Sequence, residues 1–529
     1  MLGPVEREVM AQLFASIPEE MGAVLVRSAR SPNIRERRDA SAAIFSGGGE
    51  LVAQAAHIPV HLGAMPDAVE AVRSKGARAG DAWILNDPYT GGTHLPDITI
   101  IEAVAASELA RPRSSLGDAG RRASTDQPIA YAVVRAPHAD VGGERPGSMP
   151  PGARTLAEEG VVIPPTRLVS GGEIDEAVLE GLVRRMRESE VRKADLAAQL
   201  ASASRGAERW REMIGRYGRG RLEESVEDLL EYAERRARAA LSGLPSGRFE
   251  AEDILEGDGI TENPLTIRVA VTVKDGALRF DFAGTSPAAD GNVNCPIAVT
   301  RSAALFVARC LMPEDVPTNG GVARCVEVVA PEGCLVNARP PHAVAAGNVE
   351  TSQRIADTIM LALAQAGADL VAQGQGTMNN LILGTERWTY YETIGGGQGA
   401  SATGNGPSGV HVGMSNTLNT PIEVLEMELP LRVERYALRT GSGGMGKAGN
   451  GGDGVVREIR VLEPCQLSLI TERRRRAPRG VLGGADGATG RNLVNGQDVG
   501  AKAARDLAAG DVVTIETPGG GGHGGRPHM

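Results

Sequence analysis

The sequence predicts an α+β fold of several domains, with mixed sheets and a central helical segment. Three observations carry this expectation. Residues 1–170 open on one amphipathic helix and continue as short apolar runs separated by loops bent with Gly and Pro. Residues 171–245 are rich in Ala, Leu, Arg and Glu, with apolar residues at helical spacing. Residues 373–529 are dense in glycine yet still hold strand-like runs. Between these, residues 246–372 mix β-hairpins with helices, and the chain length gives a prior of about three to four domains.

Taken in order, residues 7–28 have a helical pattern that Pro18 is expected to kink or restart, because proline removes an N–H and crowds the preceding turn. Residues 81–85, 98–104 and 129–134 read as apolar strands. Leu179, Leu182, Val183 and Met186, then Leu196, Leu200, Trp210 and Met213, then Leu222, Val226, Leu229 and Leu230 recur at helical spacing. They predict a helical hairpin or three helices, with the stripes as core. Residues 248–283 alternate in strand fashion, with Asp275-Gly276 as a hairpin turn. Residues 299–311 and 350–366 read as helices, the second capped near Asn348 or Thr351, and residues 455–462 and 467–470 as strands. The terminal Pro518-Gly-Gly-Gly-Gly-His523-Gly-Gly is expected to fray, leaving His523 and His528 in solvent.

Composition narrows the function classes. With 56 basic and 66 acidic residues the chain carries a net charge of -10, which argues against nucleic acid or an anionic membrane as the main partner. No apolar run reaches the length of a membrane span and the start of the chain lacks a signal-peptide pattern, so a cytoplasmic protein is expected. The five cysteines lack C-x-x-C spacing and read as reduced thiols. Cys295 has no histidine near it in sequence, and a small buried thiol is the reading that fits. The run Arg473 to Arg476 reads as a solvated or salt-bridged face. The glycine-rich loop at Gly441 lacks the Ser or Thr that a P-loop needs after Lys447, and the loop at Tyr391 lacks the strand-then-helix setting of a dinucleotide fold.

The chemistry concentrates in Asn86-Asp-Pro-Tyr-Thr-Gly-Gly-Thr-His-Leu-Pro-Asp97, a glycine-bent loop between two strands that carries Asp87, His94 and Asp97. A second cluster, Ala136-Pro-His138-Ala-Asp140-Val-Gly-Gly143, follows another strand, and strand pairing would set it beside the first. His94, Asp97 and His138 would then make a two-histidine, one-carboxylate site with open positions, the ligand set of a catalytic Zn, Mn or Fe ion. The plainer alternative for Asp97 is a turn carboxylate capping backbone amides. His57 and His61 are further candidate catalytic side chains, since four of the eight histidines fall in this first third; a satisfied core position is their open alternative.

A set of longer segments resembles the hydantoinase B / 5-oxoprolinase family, which includes the large subunits of acetone and acetophenone carboxylases and the caprolactamases. They are SPNIRERRDASAAIF from Ser31, LVAQAAHIPVHLGAMP from Leu51, NDPYTGGTHLPDITII from Asn86 and HADVGGERPGSMP from His138. GTSPAADGNVNCP from Gly284, GNVETSQRIAD from Gly347, GQGTMNNL from Gly374, YYETIGGGQGA from Tyr390, MSNTLNTPIEVLE from Met414 and GSGGMGK from Gly441 follow in order. The resemblance implies a divalent metal on His94, Asp97 and His138, with Asp87 and Asp140 orienting the ligands or the bound water. Two departures stand out. Residues 106–128 form an insertion where relatives carry a short hairpin, and the late motif D-R-x-R-x-x-P-W-G appears with Glu472 for Asp and Arg479 for Trp.

The resemblance further implies a subunit that works with a separate hydantoinase A-type, ATP-using partner in a hetero-oligomer. ATP used through that partner would activate the carbonyl of a small cyclic amide, and this chain would hydrolyse it. Asp140 or Asp87 is then the expected general base. Asn379, Asn380 and Glu392 are expected, from motif position, to bind the substrate's polar edge. A ketone-carboxylase subunit of the acetone or acetophenone type, and a non-catalytic scaffold for the ATP-using subunit, are the rival expectations.

Overall fold

The computed structural model describes residues 2–56, 58–61, 63–106, 127–368 and 370–525. His57, His528 and most of the insertion at 106–128 therefore lie outside the described residues. The fold is α+β, built on four sheets.

The first sheet holds β1 (Ser41–Ser46), β2 (Leu51–Ala56), β3 (Ala82–Leu85), β4 (Asp97–Val104), β5 (Ala130–Pro137), β6 (Thr166–Ser170) and β7 (Glu173–Ile174) in the order β2-β1-β5-β4-β3-β6-β7. Its neighbours are antiparallel throughout. Because side chains alternate along a strand, the sheet serves two cores. Ile100, Val104, Ala132, Val134 and Ala136 pack with the Pro4–Ser28 and Ser189–Tyr217 helices. Ile101, Ala103, Tyr131 and Val133 pack with the Met65–Ser74 helix on the other face.

The Pro4–Ser28 helix runs unbroken through Pro18, against the expected restart. An interior proline costs about 3 kcal/mol. Met10, Phe14, Ile17, Met21 and Leu25 are all buried, and at roughly 1.5–3 kcal/mol per buried side chain their packing outweighs that cost. Phe14 stacks on Trp210 with ring centroids 5.4 Å apart. By length and composition this helix passes for a membrane span, with a hydropathy of 1.3, but its apolar side belongs to the protein core.

The helical segment is three helices, Glu176–Val183, Ser189–Tyr217 and Arg219–Leu241. The second sheet, ordered β11-β10-β9-β8, contains β8 (Gly247–Leu255), β9 (Leu265–Lys274), β10 (Ala277–Asp281) and β11 (Val326–Val329). Asp275 (φ 50) and Gly276 (φ 67) close the β9–β10 hairpin with both central residues left-handed, as a two-residue turn of this hand requires. The Ile297–Cys310 and Ser352–Gln365 helices share this sheet's core, and a π-helical turn, Gly347–Thr351, leads into the second.

The last third forms two further sheets. One contains β12 (Asn380–Gly384), β13 (Thr389–Glu392), β16 (Cys465–Ile470) and β19 (Lys502–Leu507). The other contains β14 (Leu431–Arg439), β15 (Gly454–Val461), β17 (Arg491–Val494), β18 (Gln497–Asp498) and β20 (Val512–Glu516).

The terminal glycine run is not frayed, and His523 is 3% exposed. Gly519 and Gly522 donate to Ala488 and Ala485, Gly520 and His523 donate to Gly452 and Gly449, and Gly521 donates to Gln373. Every third amide returns to the same neighbouring tract, the signature of an extended helix with three residues per turn. A Cβ on Gly520 would lie 2.0 Å from the Gln398 carbonyl oxygen, and one on Gly451 would lie 1.9 Å from that of Gly520, so only glycine lets these backbones approach.

Candidate functional site

The loop before β4 and the starts of β1 and β4 enclose a buried cleft of about 20 Å³, room for roughly one water. Asp39, His61, His94, Asp97, Asn348 and Tyr391 are among its walls. The loop keeps its shape through Asn86, whose amide donates to the Leu95 and Val161 carbonyls, and through Arg135, which donates to the Gly91 carbonyl (2.7 Å) and Thr99 (2.8 Å). Arg135 itself is fully buried on β5.

Asp97 is the hub. Its Oδ2 lies 2.8 Å from His94 Nδ1, 3.5 Å from His61 Nε2 and 3.4 Å from Asn348 Nδ2, and it accepts from the Thr93 hydroxyl. Burial alone would raise this carboxyl, but the two imidazoles beside it hold it well below the usual range, so it is an anion. Asn348 Nδ2 also reaches His94 Nδ1 at 3.1 Å, and Ser41 Oγ lies 3.0 Å from His61 Nδ1. Asp39 shares the cleft; burial raises its carboxyl, with Arg37 and His61 opposing.

The structure thus unites His94 and Asp97, and adds His61, Asp39 and Asn348 to them. His138 goes elsewhere. Asp97 pairs with Pro137 across β4 and β5, so the pleat sends the next residue to the opposite face. There His138 Nε2 meets Gln199 Oε1 at 2.9 Å, on the Ser189–Tyr217 helix, and burial lowers the imidazole to about 4. Among the described residues no group of three His, Cys, Asp or Glu is gathered as a metal-holding set.

Asp87 and Asp140, the expected bases, brace loops. Asp87 accepts from the Tyr89 amide at 3.0 Å as the cap of a short 3-10 turn. Asp140 accepts from the amides of Gly142 and Gly147, both at 2.7 Å, and pairs with Arg187 at 3.3 Å, which leaves it no free oxygen for a reacting proton. Asn379, Asn380 and Glu392 are also spent internally. Asn379 bonds Gln375 and Arg474, Asn380 bonds Glu350 and the Ile470 carbonyl, and Glu392 pairs with Arg457 at 3.2 Å. None of the three lines the cleft.

Elsewhere, Cys295 is fully buried, and burial pushes its thiol up to about 12, which leaves no thiolate to attack with. The arginine run is salt-bridged: Arg473 meets Asp357 (2.7 Å) and Asp253 (3.1 Å), and Arg475 meets Glu262 (2.9 Å). Both departures in the late motif fit this network, with Glu472 bound to Lys502 at 2.6 Å and Arg479 reaching Asp253 at 3.4 Å.

Asp39 and Asn348 were missed from sequence as site residues. Each lies inside a long segment singled out above, Asp39 in the one from Ser31 and Asn348 in the one from Gly347, but neither segment contains a histidine.

Two buried atoms beside Asp97, His94 Nε2 and Asn348 Oδ1, have no hydrogen-bond partner, and neither does His138 Nδ1 on the other face of the strands. An unpartnered imidazole nitrogen on a ring whose other nitrogen meets a carboxylate is a donor that suits a borderline divalent ion.

Fold and cleft together define a multi-sheet α+β chain with a buried carboxylate–imidazole centre. The family model for hydantoinase B/oxoprolinase matches residues 3–526, and the chain belongs to that family. It is 37% identical to 5-oxoprolinase 1 of Arabidopsis thaliana over 557 residues, covering 98% of this chain and 42% of that protein. The chain therefore spans under half the length of that relative. It is 29% identical over 553 residues to a Pseudomonas sp. (strain NS671) protein named as the B-type subunit of a D-/L-hydantoinase, covering 99% of this chain and 90% of that one. Among solved structures, the ATP-dependent caprolactamase from Pseudomonas jessenii is similar with a TM-score of 0.86 at 25% identity, over 100% of this chain and 92% of that chain. Acetone carboxylase in its nucleotide-free form shares the fold, with a TM-score of 0.85 at 15% identity over 98% of this chain and 76% of that chain.

Proposed function

We propose that this chain is the B-type subunit of an ATP-dependent cyclic amide hydrolase in the cytoplasm, acting on a carbonyl activated by a separate hydantoinase A-type subunit. The observation that carries the reading is the ionised Asp97 between His61 and His94, with the far nitrogen of His94 buried and unpartnered. His94 and Asp97 would hold a divalent ion, Zn, Mn or Fe, with His138, which faces Gln199 in this structure, brought in as the third donor through its free Nδ1. Such an ion lowers the pKa of water and polarises an amide carbon. Asp39, raised by burial and facing the same cleft, takes the proton from the attacking water. Asn348 and Thr93 keep Asp97 oriented. Tyr391, Thr393 and Thr417 also line the cleft.

The naming of the Pseudomonas relative as a B-type hydantoinase subunit supports the two-chain arrangement, and the ATP-dependent caprolactamase supports lactam-type chemistry. Two measurements test the reading. Metal analysis of wild type and His94→Ala is expected to show about one divalent ion per chain and a clear loss in the variant. Ring opening across hydantoins, 5-oxoproline and lactams is expected only with ATP and the partner. Equal metal content in both proteins, or ring opening at ordinary turnover by this chain alone, would overturn it.

A further inference from the structure

We propose that Glu350 is a positioning residue of the Asp97 cleft, a buried acid that ties three of its walls together from behind. This rests on the reading above that the cleft is the reacting site. The three walls are Asn348, Met378 and Tyr391. Asn348 shares the π-helical turn Gly347–Thr351 with Glu350, and such turns recur at functional sites because they re-aim side chains. Met378 donates its amide to Glu350 Oε1 at 3.2 Å. Tyr391 donates its hydroxyl to Asn380 Oδ1 at 3.0 Å, and Asn380 Nδ2 donates to the same Glu350 Oε1 at 2.9 Å. One oxygen thus fixes the segment carrying Met378, just before β12, and, through Asn380, the ring of Tyr391.

The other oxygen, Oε2, is buried without a hydrogen-bond partner. The side chain is 0% exposed. Burial raises its pKa to about 8, and the hydroxyl of Thr377 opposes this. The charged groups facing it are Glu472, which raises it further, and Lys502 and Arg474, which lower it. Lys502 is itself bound to Glu472 at 2.6 Å, which blunts both. Below about pH 8 Glu350 is neutral and the bracing holds; above it a negative charge appears behind the cleft, beside Glu472.

The test compares wild type, Glu350→Gln and Glu350→Ala. With ATP and the partner subunit, wild-type ring opening is expected to decline as pH rises past about 8. Glu350→Gln keeps the neutral-pH turnover and loses that decline, whereas Glu350→Ala drops turnover about 100-fold at every pH, the scale of a misplaced reacting group. Isotope-edited infrared spectroscopy of the isolated chain is expected to show a protonated-carboxyl band at neutral pH that Glu350→Gln lacks. Crystal structures are expected to keep the Tyr391–Asn380 contact in Glu350→Gln and to show it broken in Glu350→Ala. An unchanged alkaline decline in Glu350→Gln, or full activity in Glu350→Ala, would overturn the proposal. If wild type opens no ring with any substrate, the functional reading fails, and the infrared band and the Tyr391 contact still decide the role of Glu350.

Discussion

His61 Nε2 stands 3.5 Å from Asp97 Oδ2, while Ser41 Oγ holds the other face of the same ring at 3.0 Å. One of the two imidazoles that keep Asp97 ionised is therefore delivered from β1 and the turn after β2, and not from the loop that carries His94. Replacing His61 by Ala is expected to leave the fold intact and to reduce partner-dependent turnover by about 100-fold, the lower range for loss of an acid–base group. Turnover equal to wild type, with an unchanged Tm, would reduce His61 to a core histidine.

The third metal donor can be tested through Gln199, which lies 2.9 Å from His138 Nε2 and also donates to the Ile98 carbonyl at 2.9 Å. Groups that orient a ligand from behind typically cost 10–100-fold in metal affinity when removed, so Gln199→Ala is expected to weaken Zn or Mn binding by about that factor. Unchanged affinity in Gln199→Ala, joined to a loss in His61→Ala, would move the third ligand from His138 to His61.

Local features of this site were legible in the sequence, and long-range ones were not. His94 and Asp97 sit in one glycine-bent loop, and their contact needs only the turn they share. The side to which His138 points depends on the register Asp97 to Pro137, and a shift of one residue reverses it, which no local pattern encodes. Asp39 reaches the cleft from the loop before β1, far from His94 in sequence. The three helices of the central segment were readable because a repeated apolar stripe fixes both type and buried face. Asp87, Asp140, Asn379, Asn380 and Glu392 were read as chemistry because they fall in polar motifs, yet each is consumed in holding loops and strands.

Residues 106–128 can be replaced by an Asn-Gly turn. Val104 and Ala130 are paired partners at the ends of β4 and β5, and Ile129 donates to the Val104 carbonyl at 3.0 Å, so the strand ends already stand at hairpin distance. The shortened chain is expected to keep the wild-type Tm and metal content. A large fall in either would show that the insertion contributes to the fold or the site.

Glu159 gives the chain a pH-dependent stability. Its carboxyl accepts from the amides of Val344 (3.0 Å) and Ala345 (2.8 Å), yet burial pushes it from 4.5 up to about 8. Between those values the folded chain keeps a proton that the unfolded chain has released. Stability therefore falls as pH rises from about 4.5 to about 8 and levels off above, with a slope of up to ~1.4 kcal/mol per pH unit from this group. Urea unfolding across this range is expected to show the slope reduced by one proton's worth in Glu159→Gln, and an unchanged slope would mean that Glu159 is ionised in the fold.

The terminal glycine tract separates two kinds of glycine. Composition alone could not distinguish a frayed tail from a threefold bundle, because the tracts that receive its amides lie at Gln373, Gly449 to Gly452 and Ala485 to Ala488, far away in sequence. Gly520→Ala would place a methyl 2.0 Å from the Gln398 carbonyl oxygen, with rigid backbone on both sides and no side chain able to give way. Gly181 lies exposed within the Glu176–Val183 helix, with nothing within 4 Å of an added Cβ. Gly181→Ala is therefore expected to stabilise the chain by about 0.5–1 kcal/mol. Gly520→Ala is expected to destabilise it by more than about 3 kcal/mol, or to prevent folding, as overpacking against fixed backbone does. Thermal unfolding of the two variants side by side decides it, and a Gly520→Ala protein as stable as wild type would mean that the bundle is not closed around this tract.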